Sequence, residues 1–129
     1  NPDVKIALFA DWDVNMLGNG YFVTSRTLER KPELVHGFLR ATLRGWRDAV
    51  ADQKAGVDAV MVAFPETNRQ FIATGLPLVI DHMHSAATKG KPLGWMADED
   101  WKTTLDIMKA SGLEGDRPPT AYYRNLIEQ

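Results

Sequence analysis

Cysteine is absent from the 129 residues, which excludes disulfides, a thiolate metal site and a cysteine nucleophile. That composition fits an oxidising compartment, although many cytosolic proteins share it. An excess of basic residues is also lacking, because 15 Lys and Arg stand against 17 Asp and Glu, for a net charge of −2. A nucleic-acid surface needs clustered excess Lys and Arg, so we expect no nucleic-acid partner.

Long hydrophobic runs are missing as well. The longest apolar stretch, Gly75–Ile80, is far too short to cross a membrane. The sequence begins with Asn1 rather than with Met, so we expect a processed or excised product, and the missing signal peptide carries no information about export. The length and the hydrophobic content of 44% are those of one soluble domain with a single core.

Two short segments at the start of the chain favour strands. Val4–Ala10 is rich in strand-forming residues, and Tyr21–Thr24 follows after a glycine-containing loop at Gly18-Asn19-Gly20. Two strands alone are marginally stable in water. The pattern therefore predicts that further chain or another subunit supplies the neighbouring strands.

The rest of the sequence is typical of helices. Ser25 is expected to cap a short helix through Arg30, and Pro32 to open a long amphipathic helix in which Gly37 and Gly45 allow close backbone packing. A further helix is predicted over Gln53–Val62, and another is opened by Pro65, broken at Gly75-Leu76-Pro77 and followed by a last segment to about Ala87. Asp98 is expected to cap the next helix, which Gly112-Leu113 stops. One or two helical turns are predicted in Tyr122–Glu128.

A set of short motifs lies along most of the chain. They are Pro32-Glu33-Leu34-Val35, Phe38-Leu39-Arg40-Ala41, Gly45-Trp46, Gly94-Trp95-Met96, Asp98-Glu99-Asp100-Trp101 and Gly112-Leu113. Together they resemble the C-terminal portion of ABC-transporter periplasmic substrate-binding proteins of the nitrate, sulfonate, taurine and thiamine-pyrimidine-precursor type. Most of these residues are structural, so they indicate the family better than the ligand.

The resemblance implies an α/β fold. The chain would be a helix-rich C-terminal fragment of a bilobed type 2 periplasmic-binding-protein fold, with two strands and about five or six helices. Residues 1–129 would form one partial domain, with hinge-proximal strands in residues 4–24 and the C-terminal helices in residues 25–129. The N-terminal lobe would lie upstream.

The best candidate for a ligand site is the segment in which the first predicted strand ends. Open α/β sheets place ligands at such strand ends. An aromatic ring can stack on a planar heterocycle, while carboxylates and amides can bond its ring nitrogens and amino groups. The predicted ligand-binding residues are Asp11, Trp12, Asp13, Asn15, Asn19 and Tyr21. The alternative is that Trp12 packs under the loop and the carboxylates are solvated.

Other chemistry is poorly supported. The Asp-x-Asp-x-Asn spacing from Asp11 resembles a calcium loop, but Met16 replaces the required glycine and Phe22 the bidentate glutamate. His82 and His84 are two residues apart and point to different sides of a helix. No serine has a nucleophile-elbow context, and Arg40, Arg44 and Arg47 are expected to form a solvated helix face. We therefore expect no metal, cofactor or catalytic residue.

The function expected from the resemblance is that of a non-catalytic solute receptor. It would capture a small planar nitrogen-containing molecule, such as a thiamine-pyrimidine or related precursor, by cleft closure outside the cytoplasm, and deliver it to a membrane permease. A nitrate, sulfonate or taurine receptor is one alternative. A pyrimidine-precursor synthase and a helical interaction module completed by a missing lobe or a second copy are the others.

Overall fold

The protein is described by a computed structural model that covers residue 5 and residues 7–113 and 116–127. In these residues five α-helices and two 3₁₀ turns make up the regular structure. The helices are α1 (Ser25–Arg30), α2 (Pro32–Ala51), α3 (Gln53–Ala63), α4 (Arg69–Asp81) and α5 (Asp98–Ala110), and the 3₁₀ turns are Phe9–Trp12 and Pro119–Ala121. The helix-rich character is as predicted.

The chain divides into two compact units. The helical unit runs from Val23 to Trp95, with Leu126 and Ile127 from the chain end, and contains α1 to α4. The α5 unit combines the described residues up to Phe22 with Met96–Asn125, and contains α5 and both 3₁₀ turns. Each unit is considered by itself.

The two predicted strands are not found in the described residues. Phe9–Trp12 form a 3₁₀ turn instead, and residues 14–24 are irregular, while Val4 and Ile6 lie outside the described part. A strand leaves a row of backbone N–H and C=O groups that only a neighbouring strand satisfies. The described residues offer no such neighbour, so the segment keeps local turns, and the α/β and bilobed parts of the prediction stay proposals.

The first two helices begin almost where the sequence places them. α1 spans the predicted residues, but its cap is Thr24, whose hydroxyl accepts from the Thr27 N–H at 3.1 Å, and not Ser25. A cap residue needs extended backbone, which Thr24 has, whereas Ser25 is already helical. Pro32 stands at the first position of α2, where its missing N–H costs no helical hydrogen bond.

α3 and α4 each begin at a side-chain cap, and an ion pair connects the two helices. Asp52 caps α3 by accepting from the Ala55 N–H at 2.9 Å, and the helix ends one residue beyond the prediction. Asn68 caps α4 by accepting from the Phe71 N–H at 3.0 Å. The Arg69 guanidinium bonds the exposed Asp58 carboxyl and, with a lysine neighbour, holds the pKa of that carboxyl below its ordinary value.

The predicted break at Gly75-Leu76-Pro77 and the extension to Ala87 are both wrong. α4 starts at Arg69 rather than near Pro65, continues through Pro77, and ends at Asp81. An interior proline removes one N–H donor. Packing of α4 against α3 keeps the helix continuous despite that loss.

The core of the helical unit is small. Leu43 of α2 and Val57 of α3 are its buried apolar residues, at 9% and 5% exposure. Gly56 lets α2 and α3 approach closely, because a Cβ there would lie 3.0 Å from the Ala49 Cβ. By contrast, no described atom lies within 4 Å of a Cβ built on Gly37 or Gly45, so the close packing predicted for them is not made by the described residues.

α5 begins and ends by different means. The prediction that Asp98 caps the helix is wrong, because Asp98 is the first helical residue and Ala97, which precedes it, makes no side-chain cap bond. The helix start is stabilised instead by the acidic first turn (Asp98, Glu99 and Asp100), which complements the helix dipole. The predicted stop is confirmed. Gly112 has a φ of +82°, and the N–H groups of Gly112 and Leu113 donate to the Lys109 and Met108 carbonyls, each at 3.0 Å.

The tail of the chain is tied to the α5 region by side chains. The Met96 N–H donates to Asn125 Oδ1 and the Asn125 amide donates back to the Met96 carbonyl, both at 2.9 Å. The Tyr123 hydroxyl donates to the Asp98 carboxyl at 2.7 Å. The helical turns predicted in Tyr122–Glu128 are therefore wrong for the described residues: the turn lies at Pro119–Ala121, and Glu128 is outside the described part.

Asn125→Ala tests the tail attachment. The substitution removes both bonds to Met96 and leaves two half-buried backbone groups unpaired, so we expect the free energy of unfolding to fall by about 1–3 kcal/mol. Urea unfolding followed by far-ultraviolet circular dichroism measures the change. Asn19→Ala, at an exposed amide, is the matched control and should change stability by less than about 0.5 kcal/mol. Equal effects of the two variants would contradict the attachment.

A pH titration tests the Tyr123–Asp98 bond. Burial is the larger cause and the bond to the Asp98 carboxylate the next, and together they raise the pKa of Tyr123 to about 12. Because the unfolded phenol ionises near 10, the stability that the neutral phenol gives should be present below about pH 10 and lost as the pH rises to about 12.

The measurement is the difference in tyrosinate absorbance between the protein and its Tyr123→Phe variant. Asp98→Asn should lower the pKa of Tyr123 without returning it to its ordinary value, because burial remains the larger cause. A difference titration centred near pH 10 in the unmodified protein would show that the bond is not formed.

Candidate functional site

The first three predicted site residues lie together in one turn. The Phe9–Trp12 turn is closed by hydrogen bonds from the Asp11 N–H to the Leu8 carbonyl at 3.1 Å and from the Val14 N–H to the Phe9 carbonyl at 3.1 Å. Asp13 ends it in the left-handed region, with a φ of 58°. An aspartate tolerates that conformation better than most residues, so the sequence suits the sharp turn.

The other three site residues follow along an irregular segment. Asn15, Asn19 and Tyr21 all lie in residues 14–24, and all are exposed. The structure therefore gathers Asp11, Trp12 and Asp13 in one turn and distributes the rest over the next eight positions. It shows an open segment rather than an enclosed pocket.

Large aromatic side chains on this segment face water. Trp12 is 76% exposed and Tyr21 is 63% exposed, so the alternative in which Trp12 packs under the loop does not hold. Phe9 and Phe22, which the sequence reasoning left out of the site, are also exposed. Exposed apolar patches are typical of surfaces that bind a ligand, another protein or a membrane.

One long-range hydrogen bond anchors the segment. The Leu17 N–H donates to Thr104 Oγ1 of α5 at 2.9 Å, and the Thr104 hydroxyl donates to the Asp100 carbonyl at 2.9 Å. Thr104 is only 6% exposed. The sequence reasoning missed this residue, and the only signal for it was a hydroxyl on the buried side of α5, where an apolar side chain is usual.

An aromatic cluster lies beside the anchor in the α5 unit. The Trp101 ring stacks on Tyr122 and Tyr123, with centroid distances of 6.1 and 5.6 Å. The Arg117 guanidinium lies over the Tyr122 ring, 5.9 Å from its centroid. Trp101 Nε1 is buried and has no hydrogen-bond partner among the described residues. The cluster holds the tail on α5.

Two histidines, His82 and His84, lie within hydrogen-bond distance of backbone carbonyls. His82 Nδ1 lies 2.7 Å from the Leu78 carbonyl and His84 Nδ1 lies 3.2 Å from the Thr88 carbonyl. In the described part of the chain, no group of three or more His, Asp or Glu residues could hold a metal ion. A helix long and apolar enough to span a membrane was likewise not found among the described residues.

The helical unit contains an open groove. It has a volume of about 440 Å³ and runs between α2, α3 and α4. Small and apolar residues such as Gly45, Ala49, Gly56 and Ala59 line most of it. Specific binding of a polar solute needs a few convergent polar groups, and Thr42 and Asp48 are the polar side chains here.

Comparisons with known proteins give two matches. Residues 1–56, which include all six predicted site residues, match the family described as NMT1/THI5 like. Over 118 residues the chain is 30% identical to the riboflavin-binding protein RibY of Chloroflexus aurantiacus. That alignment covers 86% of this chain and 32% of the relative, so the chain spans about a third of the relative's length.

No solved structure matches the chain significantly. The family match and the relative nevertheless agree with each other. Both point to the binding proteins of the nitrate, sulfonate and thiamine-precursor type. The two findings therefore support this NMT1/THI5-like family of binding proteins as the one that the chain resembles.

Proposed function

We propose that the chain is part of a solute-binding protein that captures a small, planar, nitrogen-containing molecule by closing a cleft around it. The observation that carries the proposal is the similarity to a riboflavin-binding protein together with the exposed Trp12 and Tyr21 on the family-matched segment. A flavin and a thiamine pyrimidine are both flat heterocycles with ring nitrogens. Both can stack on an indole and accept or donate hydrogen bonds at their edges.

The roles of the site residues follow from their chemistry. Trp12 and Tyr21 would supply stacking surfaces, and Asp11 and Asp13 would accept from ring N–H or amino groups. Asn15 and Asn19 would donate to ring carbonyls or nitrogens with their amides. An anionic sulfonate or nitrate would meet two carboxylates here, which is unfavourable. A heterocycle without that negative charge is therefore the preferred class of ligand.

The remaining parts of the proposal follow from family membership. The protein would act outside the cytoplasm and would deliver its solute to an ABC permease in the membrane. Residues 1–129 would form one part of a larger bilobed fold, with the ligand enclosed only when the other lobe closes. The role is binding without catalysis, in line with a relative that is named for binding.

Calorimetric titration of the protein encoded by the whole reading frame tests the function. Riboflavin, the thiamine pyrimidine, taurine and nitrate would be titrated in parallel. We expect one of the two heterocycles to bind at least tenfold more tightly than either anion, a difference of about 1.4 kcal/mol. Tightest binding of taurine or nitrate would contradict the ligand class. A pyridoxal-like absorbance band in the purified protein would indicate the synthase alternative.

Trp12→Ala tests the site. Stacking of a planar base on an aromatic side chain contributes about 1–3 kcal/mol, so the dissociation constant for the bound heterocycle should rise roughly 5- to 150-fold. Stability should stay within about 0.5 kcal/mol, because the ring is 76% exposed. Phe22→Ala is the matched control, since Phe22 is 99% exposed, adjoins the site and is not in the proposed set. Unchanged affinity in Trp12→Ala would remove Trp12 from the site.

Thr104 is proposed as a positioning residue for the same segment. Thr104→Val keeps the shape but removes the acceptor for the Leu17 N–H, while Thr104→Ser keeps the acceptor. We expect several-fold weaker binding in the valine variant, measured where it is fully folded, and nearly normal binding in the serine variant. The hydrogen-exchange rate of the Leu17 amide should increase in the Thr104→Val variant and stay unchanged in the Thr104→Ser variant. Equal affinities in both variants, with Leu17 exchange faster in the valine variant, would show that the anchor is purely structural.

A further inference from the structure

Phe9 and Trp12 lie on the same side of the 3₁₀ turn in the α5 unit. The turn has four residues, Phe9–Trp12, and side chains three residues apart on a 3₁₀ helix eclipse each other. At a rise of about 2.0 Å per residue, the two side chains are roughly 6 Å apart along the axis of the turn. Phe9 is 79% exposed and Trp12 is 76% exposed. We call this side of the turn the Phe9–Trp12 face.

Closing the turn does not require either ring. The hydrogen bonds that close it all join backbone atoms, including the bond from the Val14 N–H to the Phe9 carbonyl. An aromatic side chain contributes to the stability of a protein by burying its large apolar surface, and neither ring is buried among the described residues. The stability of the α5 unit therefore does not account for two large rings at these positions.

The spacing of the two side chains distinguishes one kind of planar ligand from another. Stacked aromatic rings have centroids about 4.5–7 Å apart, so a single pyrimidine ring makes its full contact with one of the two side chains. A heterocycle of fused rings extends past the first side chain and reaches the second. Because each stacked ring contributes to affinity, the face favours a fused-ring ligand over a single-ring one.

The charges beside this face select against a phosphate group. Residues 7–24 contain two carboxylates, Asp11 and Asp13, and no Lys, Arg or His. Among the described residues, neither carboxylate takes part in an ion pair. With three residues per turn, Asp11 lies about 120° around the turn from Trp12, on the side next to the Phe9–Trp12 face. A carboxylate accepts hydrogen bonds from ring N–H groups and repels a phosphate.

We infer that Phe9 is a specificity-determining residue of the proposed site, and that with Trp12 it forms a two-ring stacking face for an unphosphorylated heterocycle of fused rings. The inference rests on the proposed function, which assigns planar nitrogen-containing molecules as a class without choosing between one ring and several. It adds Phe9 to the predicted residues and ranks the ligands within that class. Fused rings bind more tightly than a single ring, and the unphosphorylated form binds more tightly than the phosphorylated form.

Calorimetric titration with three probes tests the inference in the protein encoded by the whole reading frame. Riboflavin has fused rings without a phosphate, flavin mononucleotide adds a phosphate to the same rings, and the thiamine pyrimidine has a single ring. We expect riboflavin to bind the unmodified protein at least about tenfold more tightly than either other probe. In Phe9→Ala the dissociation constant for riboflavin should rise at least about fivefold, whereas that for the pyrimidine should change less than about twofold.

Two further variants separate stacking from general apolar contact. Phe9→Tyr keeps an aromatic ring and should bind riboflavin as the unmodified protein does, whereas Phe9→Leu keeps apolar bulk without the ring and should resemble Phe9→Ala. Phe22→Ala is the matched control, because Phe22 is 99% exposed and lies outside the turn. It should leave the affinities for all the probes unchanged. Far-ultraviolet circular dichroism checks that each variant is folded.

Unchanged riboflavin affinity in a folded Phe9→Ala variant overturns the inference, and so does full affinity in Phe9→Leu. Equal or tighter binding of the pyrimidine or of flavin mononucleotide to the unmodified protein also overturns it. If Trp12→Ala weakens binding of a heterocycle in the same experiments, the proposed function stands although the inference falls. Binding of none of the probes, or tightest binding of taurine or nitrate, rejects both.

Discussion

Backbone hydrogen bonding is the constraint on which the rest of this structure depends. A helix satisfies its N–H and C=O groups within itself, whereas a strand needs a neighbour. α2 therefore forms in full from its own residues, and residues 7–24 do not form strands despite their composition. Within the described part of this segment, local hydrogen bonds close the Phe9–Trp12 turn, and the Leu17 N–H donates to the Thr104 hydroxyl.

The helices persist, but few of their side chains are buried. Leu43, Val57, Ala97 and Leu105 are the buried apolar residues of the described chain. At about 25 cal/mol per Å² of apolar area, so small a core contributes little free energy against the entropy of ordering the chain. Helix caps and side-chain hydrogen bonds, such as those made by Thr24, Asn68 and Asn125, therefore contribute much of the free energy that stabilises the local structure. Each is worth about 1 kcal/mol.

The backbone signals of Pro32 and Gly112 were read correctly from the sequence, whereas the cap residues of α1 and α5 and the non-local contacts were not. Pro32 and Gly112 act through their own backbone geometry, so the start of α2 and the end of α5 were predictable. Pro77 was misread as a helix break, because its effect depends on packing against α3, which the sequence does not display. Thr104 was missed for the same reason: its partner, Leu17, is 87 residues away.

The candidate site shows the same division. Its residues were identified from their types and their order along the chain, and the structure places Asp11, Trp12 and Asp13 in one turn. Whether Asn19 and Tyr21 face the same ligand depends on how residues 14–24 are held, and the bond from the Leu17 N–H to Thr104 directly fixes only one position between them and the Phe9–Trp12 turn. A receptor that closes on its solute needs a second wall, which the proposed function assigns to the other lobe of a bilobed fold.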